Sequence, residues 1–101
     1  GTERAFTGEY DKHFESGGYY CADCDKLLFS SDAKFDSGCG WPAFSEEVED
    51  AEITQLKDTS HGMVRIEVRC SKCDSHLGHL FHESRGPRYC INSICLNFRG
   101  D

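Results

Sequence analysis

Short runs of β-branched and aromatic residues separated by turn-forming residues recur along this chain, and they predict strands rather than helices. Tyr19-Tyr20-Cys21 and Leu27-Leu28-Phe29 stand on either side of a turn at Cys21–Cys24, which predicts a hairpin. From Met63 to Arg69 the alternation is regular. Val64, Ile66 and Val68 share one face and Arg65, Glu67 and Arg69 the other, so one side is expected in the core and the other in water. Leu77 to Phe81 and Arg88 to Phe98 read as further strands, the second bent or interrupted at Asn92-Ser93. Between Ser45 and Lys57 the sequence is acidic, with Val48, Ala51 and Ile53 as its apolar positions; at most a short surface helix or an irregular loop is expected there. The expected class is mainly β, with little helix.

Length narrows the picture to one core and one domain, 1–101, because 101 residues with 38% hydrophobic content leave no room for two. A core this small calls for a metal, a disulfide or very dense packing, and seven cysteines are the candidates. Eighteen acidic against eleven basic residues give a net charge of −7, which repels phosphate backbones and anionic membrane surfaces and argues against a nucleic-acid partner. No run approaches the roughly 20 apolar residues of a membrane span, and no signal-peptide pattern opens the chain. A monomer in a reducing compartment, the cytoplasm, is expected; an organelle stays open, since the sequence begins Gly1-Thr2-Glu3 rather than with Met.

Two CxxC pairs, Cys21/Cys24 and Cys70/Cys73, each run into strand-like residues. A CxxC turn lets both thiolates point at one centre, and two such turns supply the four sulfurs of a closed tetrahedral zinc site. Such a site has no open position, so its expected role is to tie distant hairpins together. Two structural disulfides or redox-active CxxC pairs are the competing readings. Zinc is favoured because duplicated CxxC turns on hairpins are a zinc-ribbon pattern and neither pair leads into a thioredoxin-like helix.

Cys39, Cys90 and Cys95 then remain. Arg88 lies two residues from Cys90, hence on the same strand face, where its charge favours the thiolate and lowers the pKa. Locally Cys90 reads equally well as a core cysteine. Cys39 sits in the turn-rich Asp36-Ser37-Gly38-Cys39-Gly40-Trp41-Pro42. On a continuous strand Cys95 would lie about 16 Å from Cys90 and on the opposite face, beyond the roughly 7 Å between Cα atoms that a disulfide allows. Cys39 is the better partner by elimination, and Cys95 reads as packing. His76 and His79 follow the second CxxC turn, where a rigid hairpin would orient imidazoles able to donate protons. His13, His61 and His82 read as surface residues.

Gly38-Cys39-Gly40-Trp41-Pro42-Ala43-Phe44, His76-Leu77-Gly78-His79 and Arg88-Tyr89-Cys90-Ile91-Asn92-Ser93, with both CxxC pairs and the opening 1–8, resemble the methionine-R-sulfoxide reductases of the B type over nearly the whole chain. The resemblance implies two antiparallel sheets and reduction of methionine-R-sulfoxide, free or protein-bound. It implies Cys90 as nucleophile, passing through a sulfenic acid, and Cys39 as resolving cysteine in a Cys39–Cys90 disulfide that thioredoxin reduces. Trp41 is implied as the wall for the substrate methyl, with Phe81 beside it. His76, His79 and Asn92 are implied around the sulfoxide oxygen, Arg88 beside the nucleophile, and Cys21, Cys24, Cys70 and Cys73 as zinc ligands. Two departures stand out. The segment His82 to Pro87 is shorter than the family loop and lacks its Asn-Asp-Gly start, leaving the role of Glu83 open, and Cys95 replaces the usual Ser or Ala. A noncatalytic zinc-ribbon module would explain the four ligands and the acidity but not the other motifs. A general disulfide oxidoreductase using one CxxC pair is excluded if that pair holds zinc.

Overall fold

The computed structural model describes residues 4–11, 13–49, 51, 53–59, 62, 64–84 and 86–101. The expected hairpin is present: β1 (Gly17–Cys21) pairs antiparallel with β2 (Leu27–Ser30) through Tyr19 and Phe29. After a single 3-10 turn at Ser31–Ala33 come the short β3 (Lys34–Phe35) and β4 (Ala43–Phe44), then β5 (Ile53–Asp58), β6 (Arg65–Cys70), β7 (His76–Glu83), β8 (Gly86–Ile91) and β9 (Leu96–Gly100). They form two antiparallel sheets, ordered β2-β1-β9 and β3-β4-β8-β7-β6-β5.

The core lies between the sheets and is built largely of aromatic rings. Phe29 stacks on Phe44 at 4.3 Å, Tyr19 meets the edge of Phe44 at 5.1 Å, and Tyr89 tilts against Phe29 at 5.6 Å. Tyr19, Phe29 and Phe44 are fully buried together with Leu28, Val68, Leu77 and Ile91. Because side chains alternate across a strand, the register that turns Tyr89 inward turns Arg88 and Cys90 to the other face. Neighbouring strands add Phe35, Ala43, His79, Phe81, Arg65, Glu67 and Asp58 to that outer face.

Three expectations need correcting. The acidic segment is not wholly helix or loop: Ile53–Asp58 is the edge strand β5, paired with β6 from Ile53–Cys70 to Asp58–Arg65. Its own apolar pattern is weak because it is covered on few sides, so its strand state comes from the β6 ladder rather than from burial. β6 starts at Arg65, not Met63, which lies outside the described residues, and Val64 is 73% exposed rather than facing the core. Its supposedly wet face is only half exposed and carries ion pairs.

The run from Arg88 to Phe98 breaks at Asn92-Ser93, the interruption allowed for above. A 3-10 turn at Ser93–Cys95 carries the chain from the larger sheet into the smaller one. Asn92 fixes this crossing, since both its backbone N–H (2.9 Å) and its side-chain Nδ2 (3.2 Å) donate to the Leu77 carbonyl. The extended-strand distance for Cys95 therefore does not apply. Its thiol instead donates to the His76 carbonyl at 3.2 Å, and its carbonyl accepts from the Ala22 N–H at 2.9 Å, a packing position against the first CxxC turn.

Candidate active site and metal centre

The β1–β2 and β6–β7 hairpins end in the same backbone device. Asp25 and Asp74, each directly after a CxxC, adopt left-handed φ values of 67° and 63°. Aspartate tolerates that region better than most side chains. The turn lets the Asp25 N–H bond the Cys21 carbonyl and the Asp74 N–H the Cys70 carbonyl, both at 2.7 Å. The two tips meet, with Cys21 and Cys73 sulfurs 3.6 Å apart and Cys24 and Cys70 sulfurs 3.5 Å apart. All four sulfurs lie within 4.8 Å of one another. Four thiolates bonded at about 2.3 Å to a tetrahedral ion have sulfurs about 3.8 Å apart, so the cluster fits such an ion with small adjustment. Arg99 pairs with Asp25, and Ser75 with Asp23 across the two tips, bracing the cluster from outside.

On the outer face of the larger sheet, Cys90 on β8 is paired with His79 on β7 and Ala43 on β4. Residues 36–42, between β3 and β4, place the Cys39 sulfur 3.0 Å from that of Cys90. The loop is shaped by Gly38 and Gly40, at φ 74° and 91°. It is anchored by hydrogen bonds from the Gly38 N–H to Asp36 (3.1 Å), from the Cys39 N–H to the Ser37 hydroxyl (3.3 Å) and from the Phe6 N–H to the Gly40 carbonyl (2.6 Å). Beneath it Gly78 is obligatory, because a Cβ there would stand 2.0 Å from the Cys90 carbonyl oxygen.

Arg88 reaches the nucleophile candidate directly: Nη1 donates to the Cys90 sulfur at 2.6 Å. Its guanidinium lies 4.6 Å above the Phe81 ring, and Nε pairs with Glu83 at 3.1 Å. The shortened hairpin thus still supplies a carboxylate that holds the arginine in place. The thiol pair behaves as one unit that gives up its first proton readily and its second reluctantly. The hydrogen bond from Cys90, aided by Ser37, the Trp41 backbone and Arg88 against burial, pushes Cys39 down to about 5. Cys90 moves the other way, raised by the hydrogen bond with Cys39, by burial and by the Cys39 charge, with Arg88 opposing. Arg88 pulls Cys90 down as expected, but in the reduced pair the net direction is upward, because burial and a second sulfur at 3.0 Å outweigh the guanidinium.

Once Cys39 is removed, its upward contributions vanish and the downward pull of Arg88 remains. Cys39→Ser is expected to move the midpoint of Cys90 alkylation to lower pH, since a lower pKa yields thiolate earlier in the titration, and adding Arg88→Gln should move it back up. Mass spectrometry of iodoacetamide-labelled peptides across pH 5 to 11 checks both signs. A Cys90 midpoint unmoved by Cys39→Ser would show that the thiols do not share a proton.

Beside Cys90 a cavity of about 70 Å³ is lined by Trp41, Arg65, Gly78, His79, Phe81 and Asn92. Nε2 of His79 is held by Asp58 at 2.9 Å, and Asp58 also takes Arg65 at 3.4 Å. His76 stands beside His79 but outside the cavity lining, with its ring 5.6 Å from that of His79 and its Nδ1 2.7 Å from Glu67. The structure thus brings Cys39, Trp41, His79, Phe81, Arg88, Cys90 and Asn92 to one place, and keeps His76 and Cys95 off the cavity wall. Asn92 touches the cavity while its amide supports Leu77.

Asp58, Arg65 and Glu67 were not singled out from the sequence. The alternation in residues 63–69 put Arg65 and Glu67 on a common face, which was a usable signal. Asp58 had none, because its segment gave no strand pattern.

Compared with known proteins, residues 1–100 match the SelR domain family. The chain is 54% identical over 102 residues to a protein named peptide methionine sulfoxide reductase MsrB from Pseudomonas putida (strain W619), covering 98% of this chain and 77% of that protein. It is 57% identical over 103 residues to a probable methionine-R-sulfoxide reductase B of Caenorhabditis elegans, covering 97% and 68%. A Pseudomonas entomophila (strain L48) protein, also named MsrB, is 54% identical over 102 residues, covering 98% and 78%. The chain belongs to the SelR family.

Proposed function

We propose that this SelR-family protein reduces methionine-R-sulfoxide to methionine, with Cys90 as nucleophile, Cys39 as resolving cysteine and thioredoxin as final reductant. The family and the names of its relatives support the general activity, an oxidoreductase acting on methionine sulfoxide. The observation that carries the mechanism is the Cys39–Cys90 sulfur separation of 3.0 Å beside a small cavity whose wall includes an aromatic ring and an imidazole.

Trp41 and Phe81 would take the methyl end of the sulfoxide and exclude water, which favours an apolar group over a hydrated one. His79, held by Asp58, would donate a proton to the sulfoxide oxygen while Asn92 contributes its amide, and His76 would support His79 through its edge-on ring contact. The Cys90 thiolate attacks the sulfur of the protonated sulfoxide; the hydroxyl then passes from that sulfur to Cys90 as the substrate S–O bond and the transient S–S bond break, the substrate sulfur keeps the electron pair and leaves as methionine, and Cys90 is left as a sulfenic acid. Before attack Cys39 takes the Cys90 proton across the 3.0 Å between the sulfurs, and Arg88 stabilises the Cys90 thiolate so formed. The Cys39 thiol then displaces water from the sulfenic acid and the disulfide forms; the sulfurs already stand within reach, so only a small approach is needed. A thioredoxin dithiol restores both thiols.

Zinc suits the four-thiolate cluster, where Cys21, Cys24, Cys70 and Cys73 would hold it as a closed structural ion. It would supply no reactive chemistry, only the joint between the two hairpins.

Offering the separated R and S epimers, free and within a peptide, with thioredoxin and measuring methionine from each tests the reading. Turnover of the R epimer alone is expected. Equal turnover of both epimers would overturn the stereochemical assignment.

A further inference from the structure

Two openings lie near the thiol pair. The 70 Å³ cavity lies on the Trp41 and Asn92 side. A separate groove of about 610 Å³ is lined by Asp32, Lys34, Phe35, Ser37 and Ser45 and by Glu83, Ser84 and Pro87 of the β7–β8 hairpin. It adjoins the pair at two points: the Ser37 hydroxyl accepts the Cys39 N–H, and Glu83 holds Arg88, which holds Cys90.

We infer that this groove is the docking surface for the protein dithiol that reduces the Cys39–Cys90 disulfide, an inference that rests on the reductase function proposed above. Which sulfur is attacked follows from access and from the leaving group. Cys90 is 9% exposed and its open side is the substrate cavity, whereas Cys39 is only half-buried. Attack on Cys39 forms a reductant–Cys39 disulfide and releases Cys90 against the Arg88 guanidinium; with Cys39 bonded to the reductant, the sulfur that raises Cys90 in the reduced pair carries no charge, and the pull of Arg88 on the leaving thiolate remains. The reductant's second thiol then displaces Cys39, so the dithiol leaves as a disulfide and its two electrons and two protons leave Cys39 and Cys90 as thiols.

The surface beside Cys39 is also of the right kind for a main-chain segment of such a partner. Phe35 and Pro87 offer apolar contact, and the hydroxyls of Ser37, Ser45 and Ser84 offer hydrogen bonds to peptide groups. The Glu83 carboxylate is paired with Arg88, and the groove's other charged residues, Asp32 and Lys34, are of opposite sign. The substrate's own chain is placed elsewhere, because its sulfur enters on the Trp41 side. Glu83, Ser84, Gly86 and Pro87 form one wall of the groove, which gives the departure from the family loop a role in partner contact.

Ser84→Trp and Pro87→Glu fill or charge the groove at exposed positions away from the reacting atoms. With thioredoxin as the probe, each is expected to raise its KM about tenfold or more, the scale of a well-placed interface contact. Turnover driven by dithiothreitol and the methionine released in a single turnover should stay unchanged. A thioredoxin KM within twofold of the unmodified protein in both variants overturns the inference. So does a rise confined to the KM of a peptide substrate, which would assign the groove to the substrate chain. Absence of methionine from the unmodified protein with dithiothreitol would instead overturn the reductase function itself, and this control separates the two failures.

Discussion

Cys90→Ser is expected to form no detectable methionine even in the first turnover, while Cys39→Ser still releases about one methionine per protein and then stops with a sulfenic acid on Cys90. The two thiols stand 3.0 Å apart, so position alone does not distinguish them. Their surroundings do. Cys90 has the Arg88 guanidinium at 2.6 Å and borders the cavity, whereas Cys39 rides on a loop and donates to the Trp41 carbonyl at 3.4 Å. A serine hydroxyl at Cys90 is a far weaker nucleophile toward sulfur, so the chemistry fails at its first step. At Cys39 the loss falls on the second step, so thioredoxin-linked turnover should collapse while the first equivalent survives. Cys95→Ser should retain both, since its thiol is engaged with the His76 carbonyl. Quenched single-turnover methionine counts, with mass spectrometry of the trapped cysteine, measure all three. Full thioredoxin-linked turnover in Cys39→Ser, with its loss in Cys95→Ser, would reverse the resolving assignment.

Replacing Cys70 or Cys21 by serine is expected to abolish cooperative folding altogether rather than lower its midpoint by a few degrees. The reason is one of scale. Structural zinc in a thiolate site contributes roughly 10–16 kcal/mol at neutral pH, comparable with or larger than the total stability of about 5–15 kcal/mol of an ordinary domain. Both cysteines are also fully buried at the ends of β1 and β6, so the variant hydroxyl enters a site built for sulfur. Elemental analysis should find about one zinc per chain, and a chelator should unfold the protein as followed by near-ultraviolet circular dichroism. Correctly folded protein without zinc would refute the assignment. The exposed Cys73 should be the mildest of the four ligand substitutions, because its side of the cluster borders solvent.

The parts of this protein that its sequence determined are those carried by local pattern. Alternation over Met63 to Arg69, which holds in the structure from Arg65 on, and the CxxC spacing each act within a few residues, and they foretold the β class, the first hairpin and the four-sulfur cluster. The order of motifs along the chain indicated Cys90, Cys39, Trp41 and His79 as a set before any distance was known. Tertiary structure decided the rest. β5 is a strand because β6 offers it a ladder, not because its own residues demand burial, and only through that pairing does Asp58 reach His79. His76 looked equivalent to His79 from three residues away, yet the fold puts one on the cavity wall and the other beside it, off that wall. The sign of the Cys90 shift likewise depends on a sulfur 51 positions away in sequence that only folding brings to 3.0 Å. Periodicity reports what a residue's own strand does; charge and proton sharing depend on distances between strands, and those are set by the packing of the whole chain.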